Sequence, residues 1–148
     1  MSEFQLNHKA YLLVCDGTKA LILRNDGNAL APQLMVEREF RSDTPARTSD
    51  MGTDKPGRTN NAAGRISSIE QTDFHTQEEE AFLKNVVTEF DAHCRENNVK
   101  QVVVAAPARA LAVVRGFASQ ELMSRCVGQV AKDYVNHPVP EIARLISI

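Results

Sequence analysis

A short apolar run in the second half of the chain, VVVAA at 102–106, limits the possible folds more than any other feature. All five residues are apolar, so a strand formed by this run would have two apolar faces, and Pro107 ends the run. A strand with two apolar faces must be covered on both sides, which favours a sheet that carries packed helices. The chain has 148 residues, 43% of them hydrophobic, and is predicted to form a single domain, 1–148, around one such core.

Three further strands are predicted at the start of the chain. Two short apolar runs lie within 10–25, and the pairs Asp16-Gly17 and Asp26-Gly27 punctuate them. Asp-Gly between apolar runs is a strong hairpin signal, because glycine accepts the positive φ of tight turns. A third run, LMVEREF at 34–40, alternates apolar and polar residues after a slip at Met35, as expected for a strand with one solvated face. These strands are predicted to form an antiparallel meander.

A long helix should follow. Thr76 and Glu79 have the spacing of a capping box, and acidic residues at 78–80 would complement the helix dipole. Asn97-Asn98 is predicted to end the helix. Behind the predicted cap, apolar residues recur at three- and four-residue spacing and form one stripe: Phe82, Leu83, Val86, Val87, Phe90 and Cys94.

The rest of the chain alternates helix and strand. Pro107 can begin a helix that continues through Val114, with another helical turn at 119–126. The segment VGQVAKDYV at 127–135 is compatible with either state, and strand is favoured. A short helix within 137–148 ends the chain. The predicted order is βββ-α-β-α-β-α, an α/β fold in which helices cover a mixed sheet of about five strands.

The net charge, the length of the apolar runs and the cysteine spacing argue against several classes of protein. The net charge of −2 gives no global reason to expect nucleic-acid binding, so any such binding must come from a local basic patch. No segment resembles a signal peptide or approaches the roughly 20 apolar residues of a spanning helix, so no membrane contact is expected. The three cysteines, Cys15, Cys94 and Cys126, lack metal-like spacing and are predicted to be reduced thiols in the cytoplasm.

One segment does not fit the pattern of a packed domain. A long polar loop is predicted at 42–75, and GTDKPGRTNNAAGRISSIEQTD at 52–73 forms most of it. Loops of this length are usually functional or disordered. Between 41 and 65 the chain has five basic residues against three acidic ones, and no aromatic residue for base stacking. Arginine suits phosphate oxygens, and glycine lets the backbone approach a partner. The predicted RNA-contacting residues are Arg47, Lys55, Gly57, Arg58, Gly64 and Arg65.

Other chemistries are less well supported by the sequence. A two-metal nuclease needs converging carboxylates. Asp16 and Glu79 or Glu80 could supply two, but Ala105-Ala106-Pro107 stands where a third would be needed. We therefore reject a nuclease, and Asp16 is more simply a turn residue.

Smaller clusters have plainer explanations too. His75 with Asp73 and Glu78 is more simply a polar helix entrance than a metal or acid–base cluster. No phosphate-binding glycine loop is present, and neither a metal nor a cofactor is predicted.

Several motifs resemble a known family. LVCDGTKALILRN, GTDKPGR, EQTDFH and the final VAKDYVNHPVPEIARLI are similar to segments of the bacterial host attachment protein family, and the resemblance covers nearly the whole chain. That family is similar in turn to the middle domain of the eukaryotic-type class-one peptide release factor. The resemblance implies a fold of ribonuclease-H-like topology, in which the loop before the long helix enters the ribosomal peptidyl-transferase centre through a Gly-Gly-Gln motif.

This chain departs from the release-factor motif. It has Gly64-Arg65 instead of Gly-Gly-Gln, and Gln71 is the only loop glutamine that could replace the missing side chain. The resemblance therefore implies a translation-associated factor that presents its loop to ribosomal RNA or tRNA, through ribosome occupancy, rescue or hibernation, without efficient hydrolysis. Two alternatives remain open: a protein-binding adaptor indirectly required for attachment to host cells, and a peptidyl-tRNA hydrolase.

Overall fold

The computed structural model describes residues 5–42 and 68–146 of the chain and, in the first helix, the side chains from Thr76 onward. In chain order the elements are β1 (Tyr11–Cys15), β2 (Lys19–Asn25), β3 (Leu34–Arg41), α1 (Ser68–Glu96), β4 (Val102–Ala105), α2 (Ala108–Phe117), α3 (Gln120–Arg125), β5 (Cys126–Val130) and α4 (Val139–Ile146).

The five strands form one mixed sheet in the order β3-β2-β1-β4-β5. Strand β2 pairs antiparallel with β1 and with β3, whereas β4 pairs parallel with β1 and with β5. The first three strands are the predicted meander, and the predicted α/β class with about five strands is confirmed. Because β2 reverses direction, β1, β3, β4 and β5 all end at the same edge of the sheet, which we call the carboxyl edge.

The two central strands are buried on both faces. Every residue of β1 and β4 is buried, as predicted for VVVAA. Alternate side chains enter two separate hydrophobic clusters. On one face, Leu13 and Val104 pack with residues of α1, α2 and α3. On the other face, Leu12 and Val103 pack with Ile142 and its neighbours in α4. The sheet is therefore the middle layer of three.

Helix α1 is fixed to the sheet by its apolar stripe. Val86 and Phe90 are 0% exposed, and Phe82 is partly buried against the same cluster, as predicted. The helix ends at Glu96, where the sequence predicted. Asn98 then has a φ of 53°, and the Val99 N–H donates to the Cys94 carbonyl at 3.0 Å. This left-handed residue with its backbone bond is a common way to satisfy the last carbonyls of a helix.

A bulge in β3 changes the direction of one side chain. The pairing of β2 with β3 shifts between Ile22 and Leu23, whose partners are Arg38 and Val36. Glu37 is the extra residue between these partners. Its carboxylate reaches the α1 side of the sheet, where it lies 3.2 Å from His93 Nε2 and forms an ion pair with Arg24. The regular alternation predicted for 34–40 therefore does not hold: Leu34 packs in the cluster on the α4 side of the sheet, whereas Phe40 packs against the cluster on the α1 side.

The beginning of α1 differs from the prediction. The helix begins at Ser68, so Thr76 lies in its interior and the predicted capping box of Thr76 and Glu79 is wrong. No glycine or proline occurs between 66 and 96, so nothing in the sequence stops the helix from extending upstream of Thr76. The predicted loop at 42–75 therefore loses its last part to α1. We also expected 42–72 to be the most mobile part of the chain; 68–72 are helical, and 43–67 lie outside the described residues.

One smaller prediction also needs adjustment. Strand β5 ends at Val130, so the strand predicted to continue through Tyr134 and Val135 was too long. A turn follows instead, closed by the His137 N–H to the Tyr134 carbonyl at 3.0 Å, and Val135 is buried against the α4 layer. The region after β4 contains two helices, as the sequence indicated, and the Ser119 side chain caps the second by accepting from the Leu122 N–H.

Within the described ranges, no helix is both long enough and apolar enough to cross a membrane.

The packing of Phe90 gives a stability prediction. Phe90→Ala should lower the free energy of unfolding by about 3–5 kcal/mol, because the ring is completely buried between α1 and the sheet. Urea unfolding followed by circular dichroism measures the change. Phe117→Ala is the matched control: this ring is 41% exposed, and its removal should change stability by less than about 1 kcal/mol. Equal losses in the two variants would contradict this account of the core.

Candidate functional site

All six predicted RNA-contacting residues lie outside the described part of the chain. This applies to Arg47, Lys55, Gly57, Arg58, Gly64 and Arg65. Gln71, the candidate replacement for the Gly-Gly-Gln glutamine, lies in the first turn of α1. The structure does define the elements that carry both ends of the segment 43–67, and these elements form the candidate site.

The segment 43–67 leaves the sheet at the carboxyl edge. It follows Arg41, the last residue of β3, and the Ser42 N–H donates to the Thr18 carbonyl at 2.8 Å, which ties this exit to the β1–β2 turn. The chain re-enters regular structure at Ser68. With a rise of about 1.5 Å per residue, Ser68 lies roughly 16 Å further along the helix axis than Glu79, which contacts the edge at Gly17. The start of α1 therefore extends well beyond the sheet.

Helix α1 approaches the carboxyl edge closely at one point. A Cβ atom added to Gly17 would lie 2.6 Å from Cδ of Glu79, so a larger residue at 17 would displace the glutamate side chain. Beside this contact is a cavity of about 180 Å³ between α1, Gly17 and the beginning of α2. The Arg109 guanidinium closes part of it by donating to the Thr76 hydroxyl at 2.7 Å. Sequence spacing gave no sign of this contact, because it joins two helices.

Asp16 has the turn role that the sequence favoured. Its Oδ1 accepts from the backbone N–H groups of Thr18 and Lys19, both at 2.8 Å, and from the Thr18 hydroxyl at 3.3 Å. This carboxylate oxygen is used to hold the β1–β2 turn. Across the described ranges, no group of three or more His, Cys, Asp or Glu side chains has a geometry suited to a metal ion.

The second segment that carries the family resemblance, 132–142, also begins at the carboxyl edge. Strand β5 ends at Val130, whose carbonyl accepts from the Ala106 N–H at 3.0 Å. Asp133 follows and is close enough to β1 that its charge helps to raise the pKa of Cys15. This segment, which lies within the last of the four motifs, therefore begins at the same edge at which the described chain stops after Ser42.

A scan against family models gives one match that covers nearly all of the chain. The family described as "Protein required for attachment to host cells" matches residues 11–146. The chain belongs to this family. None of the curated proteins compared with the chain matches it.

Two solved structures that resemble this member of the host attachment family are described as a translation termination factor and a translation termination-like factor. The archaeal translation termination factor aRF1 matches 93% of the chain with a TM-score of 0.51 and 15% sequence identity. Dom34 of S. cerevisiae, described as a translation termination-like factor, matches 98% with a TM-score of 0.42 and 9% identity. The likeness to aRF1 shows that the chain has a release-factor-like fold. The likeness to Dom34, with its lower TM-score, is too weak to establish a fold. The chain corresponds to only 36% and 37% of these two proteins.

The thiols of this family member have environments that suppress nucleophilicity. Burial raises the pKa of Cys15 to about 12, with the charges of Asp16 and Asp133 adding to the effect. Burial likewise raises the pKa of Cys94 to about 12. Cys126 is partly buried, and its pKa is also raised, mainly by burial. Since the thiolate is the reactive form, these cysteines are suited to packing at neutral pH.

The thiols give a direct chemical prediction. At pH 8 in the native protein, Cys15 and Cys94 should not react with an aromatic disulfide reagent, because they are buried and their pKa of about 12 keeps them protonated. Cys126 should react slowly, and all three should react at once in guanidinium chloride. Cys126→Ser is the control and should show no reactive native thiol. Rapid labelling of that variant would mean that β1 or α1 opens readily.

Proposed function

We propose that this protein is a translation-associated factor that presents its basic glycine- and arginine-containing segment to ribosomal RNA or tRNA. It binds without efficient hydrolysis, through ribosome occupancy, rescue or hibernation. Its site of action is the cytoplasm, where ribosomes are found. RNA contacts are assigned to Arg47, Lys55, Arg58 and Arg65, with Gly57 and Gly64 allowing close approach of the backbone.

The observation that carries this proposal is where the basic segment is attached. Its first end follows β3 at the carboxyl edge, and its second end is the start of α1, roughly 16 Å beyond the contact between Glu79 and Gly17. The two attachment points are at the carboxyl edge, whereas α1 to α4 cover the two faces of the sheet. The aRF1 structure, a translation termination factor by its description, supports a translational role through its similar fold.

The charge balance supports contact with phosphates. At the carboxyl edge itself, Arg41 is paired with Glu39 at 2.9 Å, and Arg109 donates to Thr76, so these two cations already have partners. In the segment 43–67 four basic residues, Arg47, Lys55, Arg58 and Arg65, are present against three acidic ones. Arginine forks suit phosphate oxygens, and phosphate contacts position a protein on RNA without reading its sequence.

Efficient hydrolysis is not part of the proposal, for two reasons. The chain has no Gly-Gly-Gln sequence. Gln71 lies in the first turn of α1, so its backbone has helical geometry and lacks the freedom of a glycine-flanked loop.

Ribosome cosedimentation tests the proposal. Arg58→Ala with Arg65→Ala should abolish most association with ribosomes and leave the melting temperature nearly unchanged, because exposed charges away from the core contribute little to stability. In titrations with tRNA, the slope of log K against log salt should fall by about two in this double variant, since each lost phosphate contact removes about one.

Two controls make the result specific. Lys84→Ala with Arg115→Ala removes the same charge from exposed positions of α1 and α2 and should leave association intact. Gln71→Ala should have little effect. Unchanged ribosome association after loss of Arg58 and Arg65 would favour the adaptor instead. Cleavage of peptidyl-tRNA that disappears in Gln71→Ala would make the protein a hydrolase.

A further inference from the structure

A large cavity in the described part of the molecule lies at the edge opposite the candidate site. It has a volume of about 790 Å³ and is formed by the residues that lead into β1 and β4 and by the end of β2. Strand β1 is five residues long, so this cavity and the carboxyl edge are roughly 17 Å apart. Its volume is within the range of pockets that hold small ligands. We call it the amino-edge cavity.

Two lysines line the amino-edge cavity, Lys9 and Lys100. Tyr11 of β1 is paired with Val102 of β4 in parallel register, and each lysine precedes one of these residues by two positions. Both residues are exposed. Among the described residues, neither lysine forms an ion pair. Two like charges on adjacent chains repel each other, and an anion between them would relieve that repulsion.

The acidic group in the cavity does not neutralise these lysines. Asp26 is the only carboxylate among the described lining residues, and Arg24 holds it in a two-point ion pair at 2.7 and 3.0 Å. The Arg24 hydrogen bond is the main cause of the lowered pKa of Asp26, and nearby His8 and Lys9 add to the effect. Arg24 also pairs with Glu37, so one guanidinium is shared by two carboxylates. With Lys9 and Lys100 included, the group has an excess of one positive charge, and neither lysine is among the ion-paired side chains of the described residues.

The backbone at Lys9 is costly for a lysine. Its φ is 70°, in the left-handed region, and the Ala10 N–H closes the turn on the Asn7 carbonyl at 3.0 Å. Glycine or asparagine normally occupies such a position. The Lys9 N–H donates to the Asn25 carbonyl at 2.7 Å, which holds the turn against β2. Unfavourable backbone conformations that the surrounding structure maintains are concentrated at ligand sites.

Polar amide groups complete the lining. Asn98 and Gln101 lie on the β4 side of the cavity, and Asn7 lies on the β1 side. Side-chain amides have donors and an acceptor in one plane, which is the group that recognises the hydrogen-bonding edge of a nucleobase. An acidic peptide would use the lysines but would have no complementary group for these amides.

We propose that the amino-edge cavity binds a nucleotide phosphate, with the ammonium groups of Lys9 and Lys100 on the phosphate and the amides of Asn98 and Gln101 on the base. The nucleotide is either free or part of a single-stranded RNA. This site is separate from the segment 43–67 and does not depend on the function proposed for that segment.

Nuclear magnetic resonance titration tests the site in a background that carries Arg58→Ala and Arg65→Ala, so that binding at the segment 43–67 does not interfere. The probes are adenosine 5′-monophosphate and a single-stranded oligoribonucleotide of about ten nucleotides. The amide signals of Lys9, Asn98 and Gln101 should shift. Lys9→Asn with Lys100→Gln should weaken binding by about tenfold or more, because charged hydrogen bonds to the phosphate are lost. Asparagine is chosen at 9 because it tolerates the left-handed backbone.

A matched variant and a competing ligand make the result decisive. Lys84→Gln with Arg115→Gln removes the same charge elsewhere on the surface and should leave the affinity unchanged. Shifts with both probes assign the site to nucleotides in general, whereas shifts with the oligoribonucleotide alone assign it to RNA; both support the proposal. Three results would overturn it: no shift at the cavity with either probe at millimolar concentration, an equal loss in the matched variant, or equally tight binding of poly-glutamate.

Discussion

Parallel pairing of β4 with β1 is the constraint on which the rest of the structure depends. A parallel neighbour cannot be joined by a tight turn, so the chain must cross from the end of β3 back to the start of β4. Helix α1 makes this crossing, and burial of Val86 and Phe90 holds it against the sheet. The helix must therefore begin at the carboxyl edge and end at the opposite edge. This one connection places the start of α1, which follows the basic segment 43–67 in the sequence, at one end of the molecule and the C-terminus of α1 at the other.

Much of this architecture could be predicted from the sequence, because the signals are local. The uninterrupted run at 102–106, the Asp-Gly turn at 16–17 and the apolar stripe through Phe90 each depend on residues close together in the chain. The ends of helices and strands are harder to predict where the sequence has no glycine or proline to stop the element. The start of α1 was placed at Thr76 because of an apparent cap, although nothing between 66 and 76 prevents a helix. The end of β5 was misplaced for the related reason that Tyr134 and Val135 are as apolar as a strand requires.

The sites were less predictable, because they join distant parts of the chain. Arg109 meets Thr76 across 33 positions, and Glu37 meets His93 across 56. The placement of Lys9 and Lys100 in one cavity follows only from the pairing of β1 with β4. The amino-acid sequence around Lys9 does not indicate a left-handed turn, because lysine is not a residue that such turns prefer. A net charge of −2 also conceals two local excesses of positive charge, so an overall value gave no guide to partners.

The left-handed backbone at Lys9 has a consequence for how this chain responds to selection. A glycine there would relieve the backbone, and an asparagine would relieve part of it, so a screen for heat resistance should enrich replacements at this position. Each replacement would also remove one of the two lysine charges of the cavity. Selection for thermostability therefore disfavours lysine at position 9, whereas ligand binding favours it. Variants from a thermostable library that lack lysine at 9 would keep the fold but bind the ligand more weakly.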